Sequence, residues 1–533
     1  MAKKTLMSIS LILLISCFAL INQFQLDNFS VFNSVSIKRA EQVKMNLLEQ
    51  EELGFTALLC NEMRVPFDEA TNTFFVSLDR NEEQWEKLEF VSGQPEYRIL
   101  FEEDITDMDK AKVISEGKKI ALIVYNEQCW SEYYVTFTGL PMIDLATNEG
   151  FYAEEEITGT VKFYDTDFTL HGIQESSYNG HIRGNTSRMF PKKSYKINLK
   201  TTGAAGSEEL NKISVFGMRK DDDWILRALY NDDTKIRDML SMQIWDSFGA
   251  NAVWETGYYG TKMTYVEVFA DNSYCGLYAL MEPIDAKQLD LAEQDYLYKR
   301  KNSAGLNYEN FNEAEDPYAI VNGFEIKAGE MNATAWQPIA RLAALTYSSE
   351  EAYRYYISST IDTDNALRLW LFLQIITGHD HTAKNVYYIA KYDESLEYQY
   401  KFYFAPWDMD LTWGNVSVGE QNAHYTAYQR DTIDNLVTWE TGDKLIELNH
   451  EESMEYIQEL YSELRKTVIS NEDIENMIRS IDDEVRNTGA FARDKERWPE
   501  GLHAENCEEL ISYATERLEF LDKALYNFEY FDN

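Results

Sequence analysis

The order of the predicted elements constrains the fold of this chain more than any other feature. Short apolar runs bounded by Asp, Glu, Asn and Gly predict strands in the first part of the chain, and helical periodicity dominates the second part. Strands are expected in 72–79, 97–101, 119–126, 133–140, 158–165, 193–200, 264–270, 275–282, 323–328, 385–392 and 400–407. Helices are expected within 234–248, 337–359, 364–378, 451–484 and 505–530. This order predicts an α+β chain with a two-lobed domain and a cleft between its lobes.

A smaller strand-rich region precedes that domain. The strands predicted between residues 55 and 140 follow one another at short intervals, which is typical of a small β-sandwich. We interpret the region 55–140 as a spacer or binding module rather than a catalytic domain. The segment PMIDLATNEG, 141–150, marks the boundary, and the larger domain with its C-terminal helices is expected over 141–533.

The N-terminus resembles a bacterial export signal. Two lysines precede an apolar run from about residue 6 to 21, so residues 1–22 are predicted to be a signal peptide, a lipoprotein signal or a membrane anchor. Leu-Ile-Ser-Cys ending at Cys17 resembles a lipoprotein box, whereas the apolar residues that follow it fit an uncleaved anchor. By either route we expect an exported protein attached to the membrane or cell surface, with residues 23–54 as a linker.

The surface of the chain must be strongly acidic, because the formal net charge is -42. Such a surface repels nucleic acid and anionic lipid headgroups unless a basic patch intervenes, so we exclude nucleic acid as a partner. A ligand like ATP would need a local cationic cradle or a divalent ion in order to approach. Any local cluster of Lys and Arg is therefore informative.

One such cluster is the segment HIRGNTSRMFPKKSYKINLK, 181–200. Backbone amides of a Gly-containing turn can hold phosphate oxygens while Lys and Arg supply charge. In the strand that follows, Lys196 alternates with apolar residues, so its side chain can point into a cleft. The alternative is a basic hairpin that balances neighbouring acids. The candidate phosphate-binding residues are Arg183, Gly184, Asn185, Ser187, Arg188 and Lys196.

Acidic residues surround the start of the helix predicted over 234–248. Asp232 or Asp233 is expected to cap this helix. Asp238, or an earlier Asp, is a candidate partner for Lys196. Capping alone explains these acids equally well.

A carboxylate and a carboxamide stand just ahead of the strand predicted over 385–392. Asp380 and Asn385 lie in GHDHTAKNVYYIA, residues 378–390. Metal-dependent phosphoryl transfer needs a catalytic Asp and a metal-binding Asn close together on a loop, which makes Asp380 a candidate catalytic residue and Asn385 a candidate metal ligand. His379 and His381 would face one way in a strand and could bind Zn²⁺, but the sequence offers no convincing third ligand.

Two further carboxylates follow the strand predicted over 400–407. Asp408 and Asp410 lie two positions apart, and oxygen ligands at a strand end suit Mg²⁺ or Mn²⁺. The spacing is similar to that of a calcium loop, but the glycine falls one position late and the bidentate Glu is misplaced. Glycosyltransferases also use a DxD pair to hold a nucleotide-sugar through a metal, so this alternative stays open.

The order of these parts matches the protein-kinase template: a phosphate-binding turn, a strand Lys, an acidic helix, a hairpin with a connector, a catalytic Asp with an Asn, and a metal-binding Asp. Glu282 lies in the connector, at the position where a kinase hinge holds adenine. The same segment is otherwise a strand that ends in a turn at Pro283.

These stretches together resemble the spore-coat protein H (CotH) kinase family, an atypical protein-kinase-like group. The matching stretches are RGNTSR with KKSYKINL, LYNDDTKIRDMLSMQIW, YCGLYALMEPID, the Asp380 to Asn385 motif and APWDMDLTWGN. The resemblance covers roughly 155–430 and implies a kinase-like fold that binds ATP with Mg²⁺ or Mn²⁺ and phosphorylates Ser or Thr of proteins.

By position, the resemblance implies that Lys196 contacts the α- and β-phosphates and that Asp380 orients the attacking hydroxyl or acts as a base. Asn385 and Asp408 would hold metal, and Asp410 would be a second ligand or a support for Asp408. A Gly-x-Gly-x-x-Gly loop is absent, as is usual for the family.

The leading hypothesis is thus an exported protein kinase whose partners are ATP and a secreted or surface protein substrate. Two alternatives remain. One is a non-catalytic surface adhesion or scaffold protein on a kinase-like fold, and the other is a metal-dependent nucleotide-sugar transferase.

Overall fold

The computed structural model describes residues 34–79, 88–104, 108–202, 208–249, 260–302, 305–382, 384–418, 424–426 and 428–526. The predicted signal or anchor, Cys17 and the first part of the linker lie outside the described residues. Within those ranges, no helix combines the length and the apolar character that crossing a membrane requires.

The chain contains strands and helices throughout. The first strands are β1 Leu48–Glu49, β2 Leu58–Cys60, β3 Met63–Arg64, β4 Phe67–Asp68, β5 Thr73–Ser77, β6 Phe90–Ser92, β7 Arg98–Phe101, β8 Ile120–Tyr125 and β9 Cys129–Thr138. The next are β10 Met142–Thr147, β11 Ile157–Tyr164, β12 Gln174–Arg183, β13 Ser194–Thr202, β14 Glu208–Leu210, β15 Ile213–Ser214, β16 Lys220–Asp221, β17 Asp223–Arg227, β18 Met263–Ala270 and β19 Ser273–Met281. The last are β20 Tyr296–Arg300, β21 Phe324–Ala328, β22 Val386–Tyr392, β23 Tyr400–Pro406, β24 Val416–Val418 and β25 His424–Thr426.

The longest α-helices lie in the C-terminal half of the chain. The first are α1 Ser34–Asn46, α2 Lys110–Ser115, α3 Phe168–His171, α4 Arg237–Gly249, α5 Tyr308–Asn312, α6 Gln337–Thr346 and α7 Glu350–Thr360. The others are α8 Thr363–Ile376, α9 Glu440–Glu447, α10 Ser453–Thr467, α11 Asn471–Arg486, α12 Ala490–Arg497 and α13 Glu508–Ala524.

The chain divides into two compact units, each formed from more than one segment. Unit 1 consists of Met1–Ala228, Thr264–Leu280 and Glu484–Pro499, and unit 2 consists of Leu229–Met263, Met281–Asp483 and Glu500–Asn533. Helix α12 therefore belongs to unit 1, whereas α13 and all but the last three residues of α11 belong to unit 2. The predicted domain limits, 55–140 and 141–533, remain predictions.

The N-terminal part of unit 1 is built from two sheets over a common core. One sheet has the order β4-β5-β9-β8-β7 with β1 beside β9, and the other has the order β3-β2-β6. All five residues of β5 are buried, and Phe74 stacks on Phe67 with ring centroids 4.5 Å apart. Side chains from both sheets contribute to the same cluster, including Leu58, Phe74, Phe90 and Phe137. Aromatic side chains bury large apolar areas, which explains how such short strands support a core.

A larger sheet forms the rest of unit 1, in the order β12-β11-β10-β18-β19-β17-β13-β14. An additional pairing of β12 with β13 closes seven of these strands into a ring. In β13, Tyr195, Ile197 and Leu199 are buried whereas Lys196 is partly exposed, so the predicted alternation is confirmed.

Unit 2 combines the sheet β21-β20-β22-β23 with most of the long helices. Helix α8 is buried along nearly its whole length, as its almost continuous apolar sequence predicts. Asn365 fixes this helix to β23, because its side chain accepts a hydrogen bond from Phe404 N and donates one to Phe404 O. The carboxyl end of α8 and the ends of β22 and β23 carry the candidate site.

The structure confirms a mixed α+β chain with several sheets. Asp232 caps α4 as expected, since its carboxylate accepts a hydrogen bond from Arg237 N at 2.8 Å. The expectation that His379 and His381 lie in a strand is wrong. They lie in a 3₁₀ turn, His379–Thr382, because α8 has only just ended and β22 does not begin until Val386.

Candidate functional site

The end of α8 places Asp380. Thr377 adopts the left-handed conformation with φ 51°, and Gly378 N donates back to Leu373 O at 3.0 Å. This is a common way to terminate a helix, because it satisfies carbonyls that have no partner within the helix. The chain then enters the 3₁₀ turn that carries Asp380.

Asp380 and Asn385 are joined directly. Asn385 Nδ2 donates to Asp380 Oδ2 at 2.6 Å, and Lys384 Nζ lies 3.1 Å from the same oxygen. The Asp380 side chain is 19 % exposed, so it is largely enclosed and yet reachable. The five-residue spacing predicted from the sequence therefore brings these two side chains into contact.

The backbone of Asn385 is fixed by strands on both sides. Its N–H donates to Arg300 O of β20 at 3.1 Å, and its carbonyl accepts from Trp407 N at 2.9 Å. The register pairs Val386 with Pro406, so Asn385 and Asp408 both leave the sheet at the same end of neighbouring antiparallel strands. Both have positive φ, 62° for Asn385 and 67° for Asp408. Asn and Asp tolerate this conformation better than most residues, and such strain clusters at functional sites.

Residues from the segment before and within α4 hold the loop that follows β23. Asp238 Oδ1 accepts a hydrogen bond from Met409 N, the amide between the two candidate metal ligands, at 2.7 Å. Asn231 Nδ2 donates to Asp410 Oδ2 at 2.6 Å. Asn415 Nδ2 donates to Asp410 O at 2.8 Å and to Asn231 O at 3.0 Å. Asp410 is thus held by Asn231, which lies far away in the sequence, and by the nearby Asn415.

The carboxylates act together on their neighbours. Burial by itself lowers the pKa of Lys384, but Asp380 and the further charges of Asp408 and Asp410 raise it above its ordinary value. The pKa of His381 is lowered, mainly by burial, and its Nε2 lies 2.9 Å from Trp407 O. A neutral His381 that donates to this carbonyl fixes the backbone just before Asp408 and does not serve as a metal ligand through Nε2.

The donor set fits a hard divalent cation. Asn385 uses its amide nitrogen on Asp380, so Oδ1 is the atom of this side chain that could serve as a ligand together with Asp408 and Asp410. Within the described residues, no group of three or more His, Cys, Asp or Glu side chains is placed to hold a metal ion. Two carboxylates and one amide oxygen suit Mg²⁺ nevertheless, because this ion takes few protein ligands and completes its shell with phosphate oxygens and water.

The predicted phosphate-binding turn lies in unit 1, between β12 and β13. Gly184 has φ 100°, and a Cβ there would lie 1.9 Å from Ser187 Oγ, so only glycine fits. The chain then forms a 3₁₀ turn, Thr186–Met189, in which Arg188 N donates to Asn185 O. Gly184 and Asn185 are exposed, and Arg183 is partly buried. The Arg188 side chain is 46 % exposed and lies 3.7 Å from Glu154.

Lys196 has a strand acid as its partner. Its Nζ lies 3.7 Å from Asp223 Oδ2, on the neighbouring strand β17, and the Lys196 side chain is 36 % exposed. Asp238, a candidate partner of Lys196, accepts a hydrogen bond from Met409 N, and the ion-pair partner of Lys196 is Asp223. The cross-strand pair forms because β13 and β17 are adjacent, which the sequence did not reveal.

Glu282 is 3 % exposed and directly follows β19. Its N–H donates to Lys262 O at 2.9 Å, and its carbonyl accepts from Thr261 Oγ1. The backbone amide of Glu282 is therefore already used within unit 2. Its proposed contact with adenine remains a prediction.

Four residues of this site were not predicted from the sequence: Asn231, Asp238 as a loop anchor, Lys384 and Asn415. Asn231 and Asp238 lie in the motif LYNDDTKIRDM, and Asn415 ends the motif APWDMDLTWGN. Three of the four residues therefore belong to motifs that carry the family resemblance. What the sequence did not show is that these two motifs contact each other.

The fold and the site define a mixed α+β protein in which the candidate oxygen ligands lie at the ends of two neighbouring strands. The chain belongs to the CotH kinase protein family, whose model matches residues 181–521. This match confirms the resemblance inferred from the motifs, and it contains the turn at Arg183 to Arg188 as well as Asp380 and Asp408. No curated protein matches the chain.

Proposed function

We propose that this chain is a protein kinase of the CotH type, which uses ATP and Mg²⁺ or Mn²⁺ to phosphorylate Ser or Thr of secreted or surface proteins. The observation that carries the proposal is the 2.6 Å hydrogen bond between Asn385 and Asp380 beside the strand end that bears Asp408. Family membership and this geometry support the same chemistry. A two-lobed kinase-like arrangement and export with membrane attachment belong to the proposal.

In this proposal, Asp380 receives the proton of the substrate hydroxyl. Asn385 and Lys384 hold its Oδ2, which leaves Oδ1 to accept a hydrogen bond from a substrate hydroxyl. The hydroxyl oxygen attacks the γ-phosphorus, the bond to the β-phosphate oxygen breaks, and the hydroxyl proton passes to Asp380. Positioning supplies most of the catalysis in such reactions, because the transition state needs little covalent help from the protein.

In this proposal, the metal ligands and the basic residues both help to hold the phosphates of ATP. A metal bound by Asn385, Asp408 and Asp410 would neutralise the charge of the phosphate oxygens. This neutralisation is needed because the acidic surface of the chain repels ATP. Lys196 and the turn with Arg183, Gly184, Asn185, Ser187 and Arg188 would supply positive charge and amide donors.

The test is transfer of label from γ-labelled ATP by the full chain with Mg²⁺ or Mn²⁺. Label on the chain itself or on co-purified surface proteins is expected from the unmodified chain and not from Asp380→Asn or Asp408→Asn. Asp434→Asn, a change of an exposed acid in unit 2, is the matched control and should leave transfer unchanged.

Binding of metal and ATP, measured by calorimetry, separates the alternatives. The absence of both label transfer and metal-dependent ATP binding would refute the kinase proposal and favour a non-catalytic surface protein. Binding of a nucleotide-sugar that survives Asp380→Asn and fails with Asp408→Asn would favour the sugar transferase.

A further inference from the structure

Side chains of helix α12 and of Trp498, which directly follows it, bind the backbone of β19. Leu277 N donates to Asp494 Oδ1 at 2.9 Å, Arg497 Nε donates to Tyr274 O at 2.9 Å, and Trp498 Nε1 donates to Cys275 O at 2.9 Å. All of these residues belong to unit 1. The helix thus occupies one stretch of β19, although 217 positions separate Leu277 from Asp494.

The same helix carries one half of a buried ion pair. Lys192 Nζ lies 2.6 Å from Asp494 Oδ1, and the two side chains are 0 % and 1 % exposed. Lys192 also donates to Leu277 O, and its Nζ lies 4.6 Å from the centre of the Tyr278 ring. Leu277, Asp494 and Lys192 therefore form a closed set of hydrogen bonds, which we call the Lys192 clamp.

The backbone of β19 makes room for the clamp at one position. Gly276 has φ 113°, and a Cβ there would lie 2.5 Å from Asp494 Oδ1 and 3.2 Å from Lys192 Cε. Only glycine allows both side chains to come so close to the strand.

Lys192 lies at the end of the turn that connects β12 and β13. The start of this turn is fixed by the pairing of Arg183 with Ser194. Its tip, at Gly184 and Asn185, is exposed. The clamp is therefore the buried anchor at the other end of an exposed turn, and Lys193 Nζ adds a bond to Arg188 O at 2.6 Å.

We propose that Asp494 is a positioning residue for the phosphate-binding turn: through Lys192 it holds residues 184–191 in the arrangement that receives the phosphates of ATP. The proposal rests on the proposed function and deepens it, because it makes a helix near the C-terminus part of the nucleotide site. Neither Asp494 nor Lys192 needs to touch the nucleotide.

The test must separate positioning from stability. Removing one member of a buried ion pair leaves an uncompensated charge and destabilises a protein, whereas replacing both members by apolar residues of similar size is often neutral. The variant is therefore Lys192→Met with Asp494→Leu in the full chain. Its melting temperature is compared with that of the unmodified chain, and ATP binding is measured by calorimetry below both melting temperatures.

We expect the double variant to stay folded and to bind ATP about tenfold more weakly, because small displacements of binding groups are costly. Hydrogen exchange of the amides of Arg188 and Phe190, which are bonded within the turn, should become faster. Unchanged ATP affinity in the double variant would overturn the proposal, whatever the exchange rates show.

The matched control changes the other buried ion pair of the same helix. Arg493 binds Glu267 of β18 through two hydrogen bonds, of 2.8 and 2.7 Å. Arg493→Met with Glu267→Gln should leave exchange in the turn and ATP affinity unchanged. An equal loss in this control would show that docking of the helix, and not the Lys192 clamp, is responsible, and would overturn the assignment of Asp494.

Failure of the two proposals can be told apart. If the unmodified chain binds no ATP, while the double variant still shows faster exchange in the turn, the kinase proposal fails and the clamp stands as the anchor of the turn. If the unmodified chain binds ATP and the double variant binds it equally well, the kinase proposal stands and the positioning role of Asp494 is refuted.

Discussion

Asp238 gives the sharpest test of how the metal-binding loop is held. Asp238 is 1 % exposed and Met409 is 0 % exposed, and the bond between Asp238 Oδ1 and Met409 N is 2.7 Å long. Asp238→Ala leaves this buried amide without that acceptor, which costs about 1 to 3 kcal/mol. At about 2 to 4 °C per kcal/mol for a unit of this size, the melting temperature should fall by about 2 to 12 °C.

Asp238→Asn provides the comparison, because an amide keeps an oxygen acceptor at the same place. The asparagine variant loses the negative charge in the first turn of α4, whose interaction with the helix dipole stabilises the folded state by about 0.3 to 1 kcal/mol. The alanine variant should also bind Mn²⁺ with ATP at least about tenfold more weakly, because Asp408 and Asp410 flank the freed amide. The asparagine variant should stay within about threefold of the unmodified chain.

Thermal unfolding without ligand and calorimetry with Mn²⁺ and ATP measure both effects. Gln243→Ala, at an exposed position on the same helix, controls for changes in α4 itself. A role of the bond between Asp238 and Met409 in holding the loop is refuted if the asparagine variant is as impaired as the alanine variant. It is equally refuted if the alanine variant melts lower but binds metal and ATP normally.

Three further outcomes follow from the structure. Lys384→Met should tighten Mn²⁺ binding in the absence of nucleotide, because it removes a cation from among the carboxylates; unchanged affinity by calorimetry would contradict this. Burial raises the pKa of Asp144 to about 6 from an ordinary value of 3.8, so the folded state favours the protonated carboxyl. Its stabilising contribution is complete below pH 3.8 and is lost as the pH rises through about 6, and Asp144→Asn should abolish this loss in thermal melts from pH 4 to 7. Gly414→Ala should destabilise the chain by more than Gly54→Ala, for which roughly 1 kcal/mol is expected. Both glycines have positive φ, but only at Gly414 would an added Cβ meet a ring, that of Tyr513, at 2.4 Å. Equal urea midpoints of the two variants would contradict this.

The sequence predicted the parts of the site whose geometry is local. Asp380 and Asn385 are five positions apart, so a helix end followed by one 3₁₀ turn is enough to bring them together. Asp232 likewise caps a helix that starts a few residues later. The alternation in β13 predicted which side of the strand carries Lys196.

The tertiary structure alone decided which of these parts meet. The bond between Asn231 and Asp410 spans 179 positions, the bond between Asp238 and Met409 spans 171, and the pair of Lys192 with Asp494 spans 302. Periodicity, caps and turns depend on a few consecutive residues, so they can be inferred from the sequence. A contact between distant residues depends on the path of the whole chain and on packing that excludes other partners, and no short stretch of sequence contains that information.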